Sequence, residues 1–405
     1  MAPGTGIEGT QIDLTSTVSD PGDDVITRSW SVTKNGGAFA SDNGPAFSFT
    51  PDDNGTYVVT LVASDGEGGT DTDTATINVT NRNPSVTIVG APASSPEGTQ
   101  IDLTSTVSDP GTADVITRAW SVTKDGAPFT SGNGAAYSFT PDDNATYVVT
   151  LIATDDDGGS DTDTATINVT NVGPTVSIDG PATISSPEGT QVDLTATVND
   201  PGNDALTLIW TVTKNGAPFT SGNGAAFSFT PDDNATYAVT LDADDSEGGT
   251  DSDSMTVNAT NVAPTVTIIE DPGTGTEGTP IALTSTVTDP GSADTFTRSW
   301  SVTKDGGAFA SDTGPSFSFT PDDDGTYVVT VTATDDDGGS GSDNITVNVS
   351  NVDPLVSINE DPGTGPEGTQ IDLTSTVSDP GNDVISRSWS VTKDGVPFSN
   401  GTGPA

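Results

Sequence analysis

One block of about 90 residues recurs along the whole chain, and that repetition limits the fold more than any other feature. Trp30, Trp120, Trp210, Trp300 and Trp389 recur at steps of 90, 90, 90 and 89 residues. Glu-Gly-Thr recurs with them, at Glu8, Glu97, Glu188, Glu277 and Glu367. A period near 90 exceeds a solenoid unit and matches a small domain. The chain therefore reads as beads: repeats at 1–83, 84–173, 174–263 and 264–353, and a truncated repeat from 354 to 405. The first repeat lacks its opening strand. The last stops before its final strands, so the sequence reads as a piece of a longer repeat protein.

Within one repeat the polar and apolar residues alternate with a period of two, the signature of half-buried strands. Tyr147, Val149, Leu151 and Ala153 face one way, and Val148, Thr150 and Ile152 the other. Thr140-Pro-Asp-Asp before them is turn chemistry, and Asp155-Asp-Asp-Gly-Gly159 closes the strand in an acidic loop. Ser85–Val89, the stretch around Ile101–Val107, Ile116–Lys124, Tyr137–Phe139 and the stretch around Ala165–Val169 supply the other strands. Asp125-Gly126 marks a hairpin. Seven or so short strands with no helical period predict an all-β chain: a linear tandem array of Ig-like antiparallel β-sandwiches. Asp143-Asn-Ala-Thr-Tyr147 has the spacing of a tyrosine corner. At ~40 Å per repeat, the expected array is about 180 Å long.

Composition excludes several functions. The net charge is −49, with only 10 Lys and Arg, and only Arg82 lies outside the stretch around the Trp. No basic stripe exists for nucleic acid, an anionic membrane would repel the chain, and no apolar run spans a bilayer. Cys and His are both absent, which removes thiolate metal sites, disulfides and the commonest general base. Paired carboxylates are plentiful but read as exposed turns without apolar surroundings to raise a pKa, so no enzyme is expected.

The acids concentrate at the repeat ends. In an Ig-like sandwich strung in line, the exit end of one repeat meets the entry end of the next. At the junction of repeats two and three this gathers Glu97, Asp142, Asp143 and Asn171 with Asp200, Asp204 and Asp245, an oxygen cluster with no cation from the chain. Two readings stand: weak Ca²⁺ sites, for which oxygen ligands suffice, or a solvated acidic surface that prevents association. Arg118 and Lys124 beside Trp120 read as charges that discourage edge pairing rather than as a sugar platform. The Asn-x-Thr/Ser sites, such as Asn144, Asn168, Asn234 and Asn258, follow from Thr-rich strands and are expected to be unglycosylated.

Trp120, the pattern Tyr147-x-Val-x-Leu-x-Ala-x-Asp155-x-x-Gly158 and the linker Asn171-Val-Gly-Pro174 resemble the PKD (polycystic kidney disease) type of Ig-like domain in its bacterial tandem form. The likeness covers all the repeats. It departs after the Trp, where the family often has Trp-Asp-Phe-Gly-Asp-Gly and this chain has Trp-Ser-Val-Thr-Lys-Asp-Gly. The acids at the repeat ends are also similar to cadherin-type repeats. The resemblance implies extracellular spacers, adhesins and accessory modules. The expected function is a stalk of a secreted or surface-anchored bacterial protein; the alternative is a set of carbohydrate-binding accessory modules of a secreted hydrolase. Cell-surface or polysaccharide ligands are expected to be held by regions outside these residues.

Overall fold

A computed structural model describes residues 2–403. Among them every regular element is a β-strand. The second repeat shows the plan: β1 (Ser85–Val89), β2 (Ser94–Pro96), β3 (Ile101–Ser108), β4 (Thr117–Lys124), β5 (Ala127–Asn133), β6 (Ala136–Phe139), β7 (Ala145–Thr154) and β8 (Ser160–Thr170). They form a three-stranded sheet, β6-β3-β1, and a five-stranded sheet, β5-β4-β7-β8-β2. The third and fourth repeats have the same pair of sheets. The sandwich is not wholly antiparallel. β2 runs parallel to β8, with Ser94, Ser95 and Pro96 beside Asn168, Val169 and Thr170.

The alternation seen in the sequence is the burial pattern. Tyr147, Val149, Leu151 and Ala153 are buried, while Ile152 on the same strand is exposed. Trp120 fills the space between the sheets, stacks on Tyr137 and donates its indole N–H to the carbonyl of Gly134 at 2.9 Å. Burying a ring of that size contributes about 4–6 kcal/mol of transfer free energy. Asp125 and Gly126 both take positive φ, 50° and 83°, as the two-residue hairpin between β4 and β5 requires. The strand that carries the Trp, β4, lies between β5 and β7. Arg118 and Lys124 are therefore not edge charges, which corrects the expectation from sequence.

In the first repeat, Ile12–Thr15 pairs only with Ala46–Phe49, but a short strand, Thr5–Ile7, does run parallel to Thr70–Thr80. Residues from Leu355 onward form two separate two-stranded pieces, with Leu355 and Phe398 more than 70% exposed. Two compact units divide the chain. One holds the chain through Thr175 with Val198–Thr207 and Ala243–Asp251; the other holds Val176–Thr197, Leu208–Asp242 and everything from Ser252.

Candidate metal centre

The first unit contains all seven residues singled out at the junction of repeats two and three. Glu97 follows β2. Its N–H donates to Thr170 O at 3.1 Å, continuing the parallel pairing, and Gly98 N–H donates to Pro141 O at 2.9 Å. The Glu97 side chain is 1% exposed. Its Oε1 accepts the Val172 N–H of the linker at 2.6 Å, and its Oε2 is shielded from water without a hydrogen-bond partner. A buried carboxylate oxygen left unpaired is costly, so its surroundings require explanation.

Asp142 and Asp143 sit in the turn before β7, fixed by the tyrosine corner. Tyr147 Oη donates to Asp142 Oδ1 at 2.8 Å and reaches the Asp143 carbonyl at 3.1 Å. Lys124 Nζ lies 2.9 Å from both Asp142 Oδ1 and Asp143 Oδ2. The cluster therefore does receive a cation from the chain, contrary to the expectation from sequence. The register explains why: β4 pairs with β7 so that Lys124 stands opposite Tyr147. Burial works against the charge on Asp142, but Lys124 and Tyr147 prevail and hold its carboxyl below the usual range. Burial and Asp142 push the Tyr147 hydroxyl up to about 12. Lys34, Lys214 and Lys304 make the same two-carboxylate clamp.

From the next repeat come Asp200, whose Oδ1 accepts Gly202 N–H at 3.0 Å, and Asp204. Gly202 lies against Glu97: a Cβ there would be 2.9 Å from Glu97 Cδ. Glu97, Asp143 and Asp204 each place one carboxylate oxygen within 4.8 Å of the others. Asp143 Oδ1, Asp200 Oδ2, Asp204 Oδ2 and Asn171 Oδ1 are, like Glu97 Oε2, shielded and unpaired. Asn171 Nδ2 donates to Asp245 Oδ2 at 2.7 Å, which fixes the direction of its amide oxygen. Asp245, 1% exposed, is committed to its own loop through Glu247 N–H and Gly249 N–H at 2.8 and 2.9 Å. Of the seven residues, five thus offer an unpaired oxygen, while Asp142 and Asp245 are engaged in organising the turns. Lys124 and Gly202 were missed from sequence. The constant offset from each Lys to an Asp-Asp pair 18 and 19 residues on was the available signal for the first.

The acids here are not ordinary exposed turns. Burial, then the charges of Glu97, Asp200, Glu247 and Asp143, push Asp204 up to about 6. Burial and the neighbouring carboxylates push Asp114 and Asp294 up to about 7. The expectation that nothing raises a carboxyl pKa is overturned, and the cause is carboxylates crowded together away from water. Glu8, Asp53 and Asp114 form the equivalent group one junction earlier, and one junction later Glu188 groups with Asp289 and Asp294 of the following repeat. Glu8, Glu188 and Glu277 are all at most 1% exposed, with Oε2 unpaired. A Ca²⁺ ion takes six to eight oxygens from carboxylates, carbonyls and water, and unpaired carboxylate and amide oxygens are the kind of donor it would take.

Two stacked sheets and acid-rich junctions, repeated along one chain, define a tandem-repeat protein of Ig-like β-sandwiches. Residues 81–170 match one PKD domain family and 275–349 another, while 3–80 and 171–258 match the bacterial Ig domain. The chain is a tandem repeat protein of PKD and bacterial Ig-like domains. Similar solved structures include Sidekick-1 immunoglobulin domains 1–5 (18% identity, TM-score 0.26, 85% of this chain and 78% of that one). The N-terminal eight Ig domains of Down Syndrome Cell Adhesion Molecule are similar at 16% identity and TM-score 0.26, over 98% of this chain and 60% of that one. The fibronectin(III)-like modules of Clostridium thermocellum CbhA are similar at 17% identity and TM-score 0.19, over 43% of this chain and 94% of that one. A comparison with curated proteins finds no match.

Proposed function

We propose that the chain is a non-catalytic extracellular spacer, the stalk of a secreted or surface-anchored bacterial adhesin-like protein, and that weakly bound Ca²⁺ stiffens its junctions. The repeats at 1–83, 84–173, 174–263 and 264–353 serve as its folding units, with 354–405 a fifth and shorter one. The observation that carries this reading is the recurrence of one arrangement: a buried Glu with an unpaired oxygen, facing acids of the following repeat, at Glu8, Glu97, Glu188 and Glu277. A catalytic site has no reason to recur at every joint, whereas a mechanical joint does. PKD and Ig-like repeats are commonly structural parts of extracellular proteins, which supports the location. Among the described residues no helix is long and apolar enough to cross a membrane. Nothing among the described residues favours the carbohydrate-binding alternative with an aromatic platform: in the first four repeats the Trp and Tyr rings pack on Phe or Tyr rings inside the sandwich, and the exposed Phe296 and Phe398 lie in different repeats.

Without a divalent ion the facing carboxylates repel, so the ion favours the closed junction over the open one. Sites with Kd of about 10⁻⁴–10⁻³ M would stabilise each junction by about 1.4–2.7 kcal/mol at ~10 mM Ca²⁺. The test is small-angle scattering and thermal melting of the chain in Ca²⁺ and in chelator at matched ionic strength. Ca²⁺ should raise the melting temperature and lengthen the maximum dimension. If neither changes, the acids are only a solvated surface.

A further inference from the structure

The acidic junctions are not all alike. The loop after β3 reads Asp109-Pro-Gly-Thr-Ala-Asp114 in the second repeat and Asp289-Pro-Gly-Ser-Ala-Asp294 in the fourth. In the third and fifth repeats it is one residue shorter, Asp200-Pro-Gly-Asn-Asp204 and Asp379-Pro-Gly-Asn-Asp383. The loop after β7 changes in step: Asp155-Asp-Asp157 and Asp335-Asp-Asp337, against Asp245-Ser-Glu247. Long and short forms therefore alternate along the chain.

The extra residue has a structural consequence. Ala113 N–H donates to the carbonyl of Asp52 in the preceding repeat at 3.0 Å, and Ala293 N–H to that of Asp232 at 2.9 Å. The residues just beyond are held as well: Val115 N–H donates to Asp156 Oδ1 at 2.8 Å, and Thr295 N–H to Asp336 Oδ1 at 2.9 Å. Asp114 and Asp294 are thus anchored on both sides, and both oxygens of each are shielded from water and unpaired. Asp114 also stands where several groups meet, joining Glu8 and Asp53, Asp109 and Asp155, and Asp156 and Asp157. Beside it, and beside Asp294, a buried Glu contributes its unpaired Oε2. In the short form Asp204 has only one oxygen, Oδ2, that is both shielded and unpaired, Asp383 has none, and Glu247 accepts a hydrogen bond from Asn144 Nδ2 of the preceding repeat.

We propose that the chain has two alternating classes of divalent-cation site, and that the class built on Asp114 and Asp294 binds Ca²⁺ more tightly than the class built on Asp204 and Asp383. The proposal rests on the reading of the junctions as cation sites. A carboxylate held at both flanks with two free oxygens can chelate Ca²⁺ through both, which suits its large and variable coordination shell. Ligand charge and rigidity move Ca²⁺ affinity by decades, so the classes should differ about tenfold or more in half-saturating Ca²⁺. As Ca²⁺ rises, every second junction closes first, and the chain passes through a state of paired repeats.

The test is a calorimetric Ca²⁺ titration of the whole chain, with CaCl₂ as the only added ligand. Two phases are expected. Asp114→Asn with Asp294→Asn should remove the early phase, and Asp204→Asn with Asp383→Asn the later one. Equal melting temperatures in chelator check that the variants fold. Inserting one Ala after Asn203, which lengthens the short loop, should shift one site's binding to about tenfold lower Ca²⁺. A single phase, reduced equally by either pair, overturns the alternation and leaves the junction sites standing. No binding by the parent chain overturns both.

Discussion

Replacing Tyr147 by Phe removes one oxygen atom and leaves the packing intact. The ring is fully buried, edge-on to Phe129 with centroids 5.2 Å apart and tilted against Phe139 at 6.0 Å, and Phe keeps these contacts. What is lost is the donor to Asp142 Oδ1 at 2.8 Å and the contact with the Asp143 carbonyl. A hydrogen bond to a charged acceptor contributes about 1.5–3 kcal/mol. The Asp142 side chain is 42% exposed and keeps Lys124, so water recovers part of that loss, leaving about 1–2 kcal/mol. Several sandwiches share the chain, so one melting curve does not isolate the effect. Hydrogen exchange read by peptide mass spectrometry does. Amides of β7 and β8 should exchange about 5–30 times faster, while Gly325–Asp335 and Ser340–Ser350 of the fourth repeat stay unchanged. An unchanged β7, or equal acceleration in the fourth repeat, would refute the assignment of the corner as a local brace.

Gly98→Ala places a side chain at φ 69° with its Cβ 2.5 Å from that of Pro201, so it should loosen the joint of repeats two and three; faster exchange confined to 97–99 and 200–204 is the expected readout. The Lys124 clamp should show in the pH profile. Asp142 is held below its ordinary value, so its contribution is present above about pH 4 and lost as pH falls through the lower, folded value. Lys124 is raised, so its contribution is present below about pH 10 and lost as pH rises through the higher, folded value. Replacing all four clamp lysines, Lys34, Lys124, Lys214 and Lys304, by Met should flatten both limbs in thermal melts, and an unchanged profile would remove the clamp's role. Limited proteolysis should cut within residues 355–402 before 84–173, because Leu355, Val396 and Phe398 lie open; uniform resistance would contradict this.

The sandwich was legible because its strands announce themselves locally. Tyr147, Val149, Leu151 and Ala153 show the buried face by alternation alone, and Asp125-Gly126 shows the turn. β2 was not legible: Ser94-Ser-Pro96 is too short to alternate and ends in Pro, and its pairing with Asn168–Thr170 depends on how the chain closes. At the junction, the direction of each acid was beyond sequence reasoning. Asp142 and Asp143 are adjacent and Lys124 holds an oxygen of each, yet Asp142 also accepts from Tyr147 while Asp143 keeps one oxygen unpaired in the group with Glu97, and the register that sets Lys124 opposite Tyr147 is not written in either residue. The one-residue difference between Asp109–Asp114 and Asp200–Asp204 was in plain view, but has meaning only once Ala113 is seen to reach Asp52.

The parallel pairing of β2 with β8 decides how a repeat meets a pulling force. The first strand, β1, lies in the other sheet, but once it detaches the pull reaches β2, which lies beside the last strand, β8, and points the same way, so tension then slides the two past each other. Their rungs must then yield together rather than one at a time. The second and fourth repeats have three such register pairs, at Ser94–Pro96 and Thr274–Thr276, and the third has five, Thr183–Pro187 against Thr256–Thr260. Stretched end to end, the repeats that have this pairing should give way first where it has three rungs, and the third should be the last of them to rupture.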